Sequence, residues 1–429
     1  MTVLPKKSRK KTYVYLDHAA ATPFDPRVIR AMDPYWIQNF GNPSALYSWG
    51  RKSNEAITTA RKQIADILFT QPDCIIFTGS GTESNNMAIF GVLNNIKSQI
   101  SKVTRLRSLE LRRGEETKTK NSKTSTPHII TTVIEHHSVL EPIRELEKRG
   151  VAVTYIPVNQ SGEISVENVV TAIRPETKLI SIMYANNEIG TINPIAEIGR
   201  ELLKYRQKNK TLFPYFHVDA CQAPTTLELH TERLHVDLLS INGSKIYGPK
   251  GVGCLFIRRG VPLTPILLGG GQERGLRGGT ENVPGIIGLA KALLLVQKNV
   301  TKQKIHEQKL RDYLWQEIKK KIPDAYLNGP ELNGNRLANN LNVRFSGLET
   351  ETLLLYLDAY GIIAATGSAC TSKSNETSHV LHACGLRSDE AQSSIRFTLG
   401  KTTRKHDIDY VMKFLPDIVE CVRDMKKVS

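Results

Sequence analysis

The stretch Ser240–Gly253, SINGSKIYGPKGVG, sets Lys245 among small and polar residues. Before it runs VDLLSI (Val236–Ile241), and after it VGCLFI (Val252–Ile257). Both are short apolar runs with the length of buried strands. Lys245 therefore falls at a strand-to-turn junction, where α/β proteins carry their chemistry. An arbitrary lysine belongs on a solvated hairpin. Here Asn242, Gly243 and Ser244 crowd against it, which suits a turn around a phosphate and a Schiff-base lysine. A desolvated amine loses its proton readily, as that role requires. On this stretch alone both readings stay open.

Outward from it, strand and helix alternate. CIIFT (Cys74–Thr78), HIITTV, VAVTYIPV, LISIMYANNEIG and FHVDACQ read as strands. Asp25 and Pro26 start a helix, and Ser53–Leu68 keeps Ile57, Ile64, Ile67 and Leu68 on one side. HHSVLEPIRELEKRG reads as a helix ending at Gly150, and PIAEIGRELLKYRQ as the helix before FHVDACQ. This rhythm predicts an α/β fold with a mostly parallel sheet and helices on both faces. The large domain is expected over residues 25–297. A smaller α+β domain is expected from residues 1–24 and 298–429, with a helical region to Lys321 and a strand at ANNLNVRF.

The 429 residues carry 58 Lys and Arg against 42 Asp and Glu, a net charge of +16. The excess is uneven. Met1–Lys11, read as a solvated tail, holds five basic residues, and Lys97–Lys123 holds nine against three Glu. Residues 97–127 read as a charged insertion in which VTRLRSLELRR forms a helical turn or two. It lacks interleaved aromatics, which disfavours a nucleic-acid arm. Six dispersed cysteines form no CxxC or Cys/His cluster, so no metal site is expected, and they suit a reducing compartment. No apolar run spans a membrane and no hydrophobic signal core opens the chain, so a cytoplasmic protein is the expectation.

Loops leaving the carboxyl ends of the strands carry GSGTE, EHH, NNEIG, VDACQ and NGSK. Singly each is weak. GSGTE at a helix start offers free amides and the Thr82 hydroxyl to an anion, or is an ordinary cap. Asp219 leaves a buried strand and needs a cation, from an arginine or a protonated pyridine nitrogen. His136 can stack a flat ring and relay protons, or pack as a plain histidine.

Together with YLDHAAATP, GNPS, FTGSGTESNN, NNEIGTINPI, GGGQERGLRGGT, ATGSACTS and SSIRFTLG, these stretches resemble cysteine desulfurases of the NifS/IscS type. Those are pyridoxal-phosphate enzymes of the class-V aminotransferase, fold-type-I group. The likeness runs from about Tyr15 to Tyr410, broken at Lys97–Pro127. It implies conversion of L-cysteine to L-alanine through aldimine and ketimine intermediates, leaving a persulfide on Cys370 for an acceptor protein of iron–sulfur assembly or tRNA thiolation. It also implies a homodimer.

By position, the resemblance makes Lys245 the Schiff-base lysine and Asp219 the partner of the pyridinium nitrogen. Gln222 would bond the ring's phenolic oxygen, and His136 would stack on the ring. Gly81, Thr82, Asn242 and Ser244 would hold the phosphate, with Thr280 reaching it from the other subunit. Asn187 and Arg396, helped by Asn42, would bind the substrate α-carboxylate, which suits the planar fork of Arg396. Relatives usually carry histidine and serine where Ser244 and Asn242 stand, so weaker cofactor retention is expected. A selenocysteine lyase or another class-V enzyme is the alternative reading. A non-catalytic protein that kept the fold is disfavoured by intact Lys245, Asp219, Cys370 and Arg396.

Overall fold

The computed structural model describes residues 13–112, 126–367 and 377–428. The basic tail, most of the second half of the insertion and Cys370 lie outside the described residues.

Among the described residues, thirteen strands form three sheets. In chain order they are β1 (Val14–Tyr15), β2 (Ile75–Thr78), β3 (His128–Thr132), β4 (Ala152–Ile156), β5 (Thr177–Met183), β6 (Tyr215–Asp219), β7 (Leu238–Asn242), β8 (Gly253–Ile257), β9 (Ala325–Leu327), β10 (Asn340–Phe345), β11 (Ile362–Ile363), β12 (Ala365–Thr366) and β13 (Ser394–Thr398). The helices used below are α1 (Pro26–Met32), α2 (Ser48–Leu68), α3 (Gly81–Arg112), α4 (His137–Lys148), α5 (Ile195–Asn209), α6 (Val283–Lys298), α7 (Val300–Lys321) and α8 (Lys405–Val428).

The seven-stranded sheet has the order β2-β8-β7-β6-β5-β3-β4. Only β8 runs against its neighbours. Its strands are near-continuous apolar runs because helices cover both faces. Ile75, Phe77, Ile180, Val218 and Leu239 point to the core shared with α1, α2, α5 and α6. Ile76, Ile129, Leu179 and Leu238 alternate onto the other face, under α3 and α4. At about 25 cal/mol per Å² of apolar surface, burial on two faces is the dominant favourable term for this sheet.

Local signals set the helix starts. Asp25 accepts the Arg27 amide at 2.9 Å and Pro26 occupies the first turn of α1. Helix α2 begins at Ser48, five residues before the expected Ser53, with Tyr47 as its extended N-cap. A larger difference lies in the insertion. VTRLRSLELRR is not an isolated turn or two; it continues α3 without a break to Arg112. Nothing in the backbone of that segment interrupts a helix begun at Gly81, since it contains neither Gly nor Pro before Gly114.

A second core packs α7 and α8 on the antiparallel sheet β12-β13-β10-β9. Strand β1 pairs in parallel with β11, which draws the N-terminal stretch onto this core. Among the described residues, no single helix is long and apolar enough to cross a membrane.

Candidate active site

The carboxyl ends of β2, β3, β5, β6 and β7 all open on one side, and their loops line a cavity of about 170 Å³. Gly81 and Thr82 follow β2, His136 follows β3, and Asn187 follows β5. Asp219 ends β6 and Gln222 follows it, and Asn242 ends β7 with Lys245 just beyond. Arg396 enters from β13 of the other sheet. These nine come from separations of up to 315 residues (Gly81 to Arg396).

Lys245 closes a single 3₁₀ turn that Asn242 caps. Its Nζ donates to the carbonyls of Ala19, at 2.8 Å, and Ala20, at 2.5 Å. The Gln222 amide nitrogen donates to the Ala19 carbonyl as well, at 3.1 Å. So the Ala19–Ala20 turn, from YLDHAAATP, holds two cavity side chains in place.

Helix α3 presents its amino end to the cavity. Ser80 caps it: its hydroxyl accepts the Glu83 amide at 3.1 Å and its carbonyl accepts the Ser84 amide at 3.0 Å. The Gly81 and Thr82 amides keep no acceptor among the described residues, which leaves an anion cradle. Gly81 has to be glycine, because a Cβ there would sit 2.5 Å from Cys221 Sγ.

Asp219 is 6% exposed and forms no ion pair among the described residues. Instead it accepts the Cys221 amide at 2.9 Å and the Asn85 side-chain amide at 2.7 Å. Asn85 also donates to Ser138 Oγ at 2.9 Å. His136 Nδ1 accepts the Ser138 amide at 3.1 Å and pairs with Ser138 Oγ at 2.8 Å. With Nδ1 occupied as an acceptor, neutral His136 carries its proton on Nε2. Burial lowers its pKa, against the pull of Asp219, so the neutral form prevails.

Arg396 is 2% exposed. Its Nη2 pairs with Asp17 at 2.7 Å and its Nη1 donates to the Asn187 carbonyl at 3.1 Å, while Nε finds no partner among the described residues. Two further acids line the cavity. Burial pushes Glu135 up to about 8; one oxygen accepts from Thr132 and the Met183 amide, and Oε2 has no partner among the described residues. Burial raises Glu188 too, against its bond from Ser378. The Cys221 thiol also lines the cavity, but burial pushes it well above the usual thiol range, so it is a poor nucleophile at neutral pH.

Three expected site residues stand elsewhere. Ser244 does not line the cavity; its hydroxyl turns to Asn242 Oδ1 at 3.3 Å. Asn42 lies in a separate surface hollow with Phe40 and Trp49, away from the Asn187 and Arg396 it was expected to help. Thr280 is exposed on the surface of its own chain. Cys370 lies outside the described residues, whereas Gly367 before it and His379 and Val380 after it line the cavity.

Residues that the sequence reading left without a role are Asp17, Asn85, Glu135, Ser138 and Glu188. All five stand inside motifs quoted above. Asn85 is the best signalled: four residues after Gly81, it shares a face with the amino end of α3.

A family model described as aminotransferase class-V matches residues 14–105 and 117–411. The cysteine desulfurase IscS of Dictyoglomus turgidum is 45% identical over 413 residues, which cover 96% of each chain. A solved NifS-like protein superposes with a TM-score of 0.83 at 34% identity, over 96% of this chain and 100% of that one. The structure of SspA in complex with cysteine gives a TM-score of 0.71 at 34% identity, over 90% and 98%. The chain belongs to the aminotransferase class-V family, and within it to the cysteine desulfurases of the NifS/IscS type.

Proposed function

We propose that this protein converts L-cysteine to L-alanine with pyridoxal 5′-phosphate and leaves the sulfur as a persulfide on Cys370. One observation carries the reading: a lysine amine, an unpaired buried carboxylate and two acceptor-free helix amides meet around one cavity. That set fits the cofactor. The amides of Gly81 and Thr82 suit its phosphate, Asp219 suits a protonated ring nitrogen, and Lys245 suits its carbonyl carbon. When bound, pyridoxal 5′-phosphate supplies an electron sink for charge left on the substrate's α-carbon.

The protein's own groups do the rest. Arg396 and Asn187 bind and orient the α-carboxylate, with Asp17 sharing the Arg396 fork. Lys245 takes the α-proton, its Nζ steered by the Ala19 and Ala20 carbonyls. His136 packs against the reacting plane and offers Nε2–H for proton transfer. The Cys370 thiolate attacks the substrate sulfur. The S–S bond forms as the C–S bond breaks, and that electron pair stays with the three-carbon fragment. The fragment takes up a proton on its β-carbon, regains a proton on its α-carbon from Lys245, and leaves as alanine.

The sulfur then passes to an acceptor protein, a route open because a persulfide is reversible. Exposed apolar residues gathered between Trp36 and Trp49, with Ile37 at 82% and Leu46 at 90%, support a homodimer whose partner would bring Thr280 to the phosphate. We place the protein in the cytoplasm on its unpaired cysteines.

The test supplies the purified protein with pyridoxal 5′-phosphate, L-cysteine and a dithiol that reduces the persulfide to release its sulfur as sulfide, and measures alanine and sulfide together. Equal yields are expected, with Cys370→Ser losing both while it keeps the cofactor's visible absorbance. Undiminished turnover in Cys370→Ser would overturn the role of that thiol.

A further inference from the structure

Strand β2 ends the seven-stranded sheet, so one of its edges has no neighbouring strand among the described residues. Side chains close that edge instead. Arg61 Nη1 and Arg274 Nη2 donate to the Ile75 carbonyl, at 2.6 and 2.9 Å, and Glu273 Oε2 accepts the Phe77 amide at 2.9 Å. Glu273 also takes both Arg61 amino groups, at 2.8 and 2.6 Å, and is buried. Glu273 and Arg274 belong to GGGQERGLRGGT (Gly269–Thr280), and both hold left-handed backbone, with φ of 46° and 58°. Residues with side chains avoid that region unless their surroundings hold them there. The bonds to β2 do so.

The same loop reaches past the strand to the turn behind it. Arg277 Nε donates to Glu83 Oε1 at 2.9 Å, and the other oxygen of Glu83 accepts the Gly79 amide at 2.8 Å. Glu83 thus joins the loop to the turn that presents the free amides of Gly81 and Thr82. The fit is close: a Cβ on Gly79 would stand 2.7 Å from Glu83 Oε2. The Arg277 and Glu83 side chains are only 23% and 24% exposed, yet neither lines the cavity. Glu83 lies in the first turn of α3, so its charge sits beside the cradle. Alone, that carboxylate would repel an anion bound there, and the Arg277 guanidinium offsets it. The edge of β2 does not call for this pair, because Arg61, Glu273 and Arg274 already close it.

We propose that Arg277 is a positioning residue for the cofactor's phosphate: it holds Glu83, and through Glu83 the turn at residues 79–82, in the shape that aims both free amides at the anion. This rests on the proposed function, which gives those amides to the phosphate. Arg277 then sets how tightly the phosphate is held. The other end of the cofactor is governed from elsewhere, since Ala19 and Ala20 steer Lys245, and Cys221 and Asn85 hold Asp219.

The experiment titrates the full-length protein with pyridoxal 5′-phosphate and, separately, with pyridoxal, which lacks the phosphate, and follows visible absorbance. Arg277→Gln should raise the Kd for pyridoxal 5′-phosphate on the order of tenfold, as loss of one hydrogen bond to a charged group does, with that for pyridoxal within about twofold of wild type. Arg277→Lys keeps the charge beside Glu83 and should lose a smaller factor; it decides the matter if Arg277→Gln fails to fold. Thr280 stands on the same loop, so Thr280→Ala is measured alone and combined with Arg277→Gln. The two losses should multiply. A double variant no weaker than Thr280→Ala means that Arg277 acts only through Thr280, and overturns the proposal. Equal weakening of both ligands, or unchanged binding in both Arg277 variants, overturns it too. The wild type separates the two failures: if it binds pyridoxal as tightly as pyridoxal 5′-phosphate, the phosphate assignment in the proposed function itself fails.

Discussion

The seven-stranded and four-stranded sheets reach the same cavity by different means. The first delivers loop residues: its parallel strands end together, so the loops after β2, β3, β5, β6 and β7 converge there. The second delivers Arg396 from within a strand. In β13 it is paired with Asn342 on one side and Ala365 on the other, so ladders on both edges fix its position. Loop residues depend on caps and turns, as Asn242 and Ser80 show. On the proposed function, the first sheet's loops hold the cofactor, and Arg396 of the second sheet, with Asn187 from the first, takes the substrate's carboxylate. The two can be broken separately.

The largest effect should come from the first arm. Lys245→Ala should lower sulfide release from L-cysteine by about 10⁴-fold or more, and Asp219→Ala by about 10²-fold to 10³-fold. Both should lose cofactor faster on dialysis. Near-wild-type retention in both would break the division.

Arg396→Lys comes next. It replaces a planar fork by a point donor, costing on the order of 1.5 to 3 kcal/mol, or roughly tenfold to a hundredfold in KM for L-cysteine. Cofactor absorbance should not change. Cofactor loss as fast as in Asp219→Ala would mean that the second sheet holds the cofactor as well.

The smallest effect concerns stability against pH. His217 on β6 sits between Ser181 and Ser240, and burial lowers its pKa to about 4. The unfolded chain binds that proton first, so this group's contribution is complete above about 6.5 and is lost as pH falls toward 4. Glu307 on α7 is the reverse: burial raises it to about 8, so its contribution is complete below about 4.5 and is lost as pH rises through 8. Each amounts to about 1.4 kcal/mol per pH unit inside its window. Thermal melts should show a shallower acid slope in His217→Gln and a shallower alkaline slope in Glu307→Gln. Unchanged slopes would show that these two groups do not set the profile.

Much of the larger sheet was readable because each of its strands carries its own signal. A strand covered on both faces is a short apolar run whatever surrounds it. CIIFT and VDLLSI show this plainly. The continuation of α3 to Arg112 was hidden because a charged, Ser/Thr-rich composition reads as loop, while helix propagation needs only good formers and no breaker. The reversed direction of β8 was equally hidden, since strand direction leaves no mark on an apolar run. At the site, Lys245, Asp219 and His136 stood out because they leave strand ends. Asp17 and Asn85 did not, because each matters only through a partner 50 or more residues away, and Ser138 did not, because its contact with His136 looks like any helix start.

By itself, then, the amino-acid sequence determined the alternation of elements, the family and the residues at the strand ends. These are local properties: apolar period, turn chemistry and motif identity. Only the tertiary structure decided that Asp17 occupies Arg396, that Asn85 reaches both Asp219 and Ser138, and that one oxygen of Glu188 meets both Gly367 and Ser378. Contacts between distant residues form only when hydrophobic burial has brought their elements together, and no nearest-neighbour pattern encodes them.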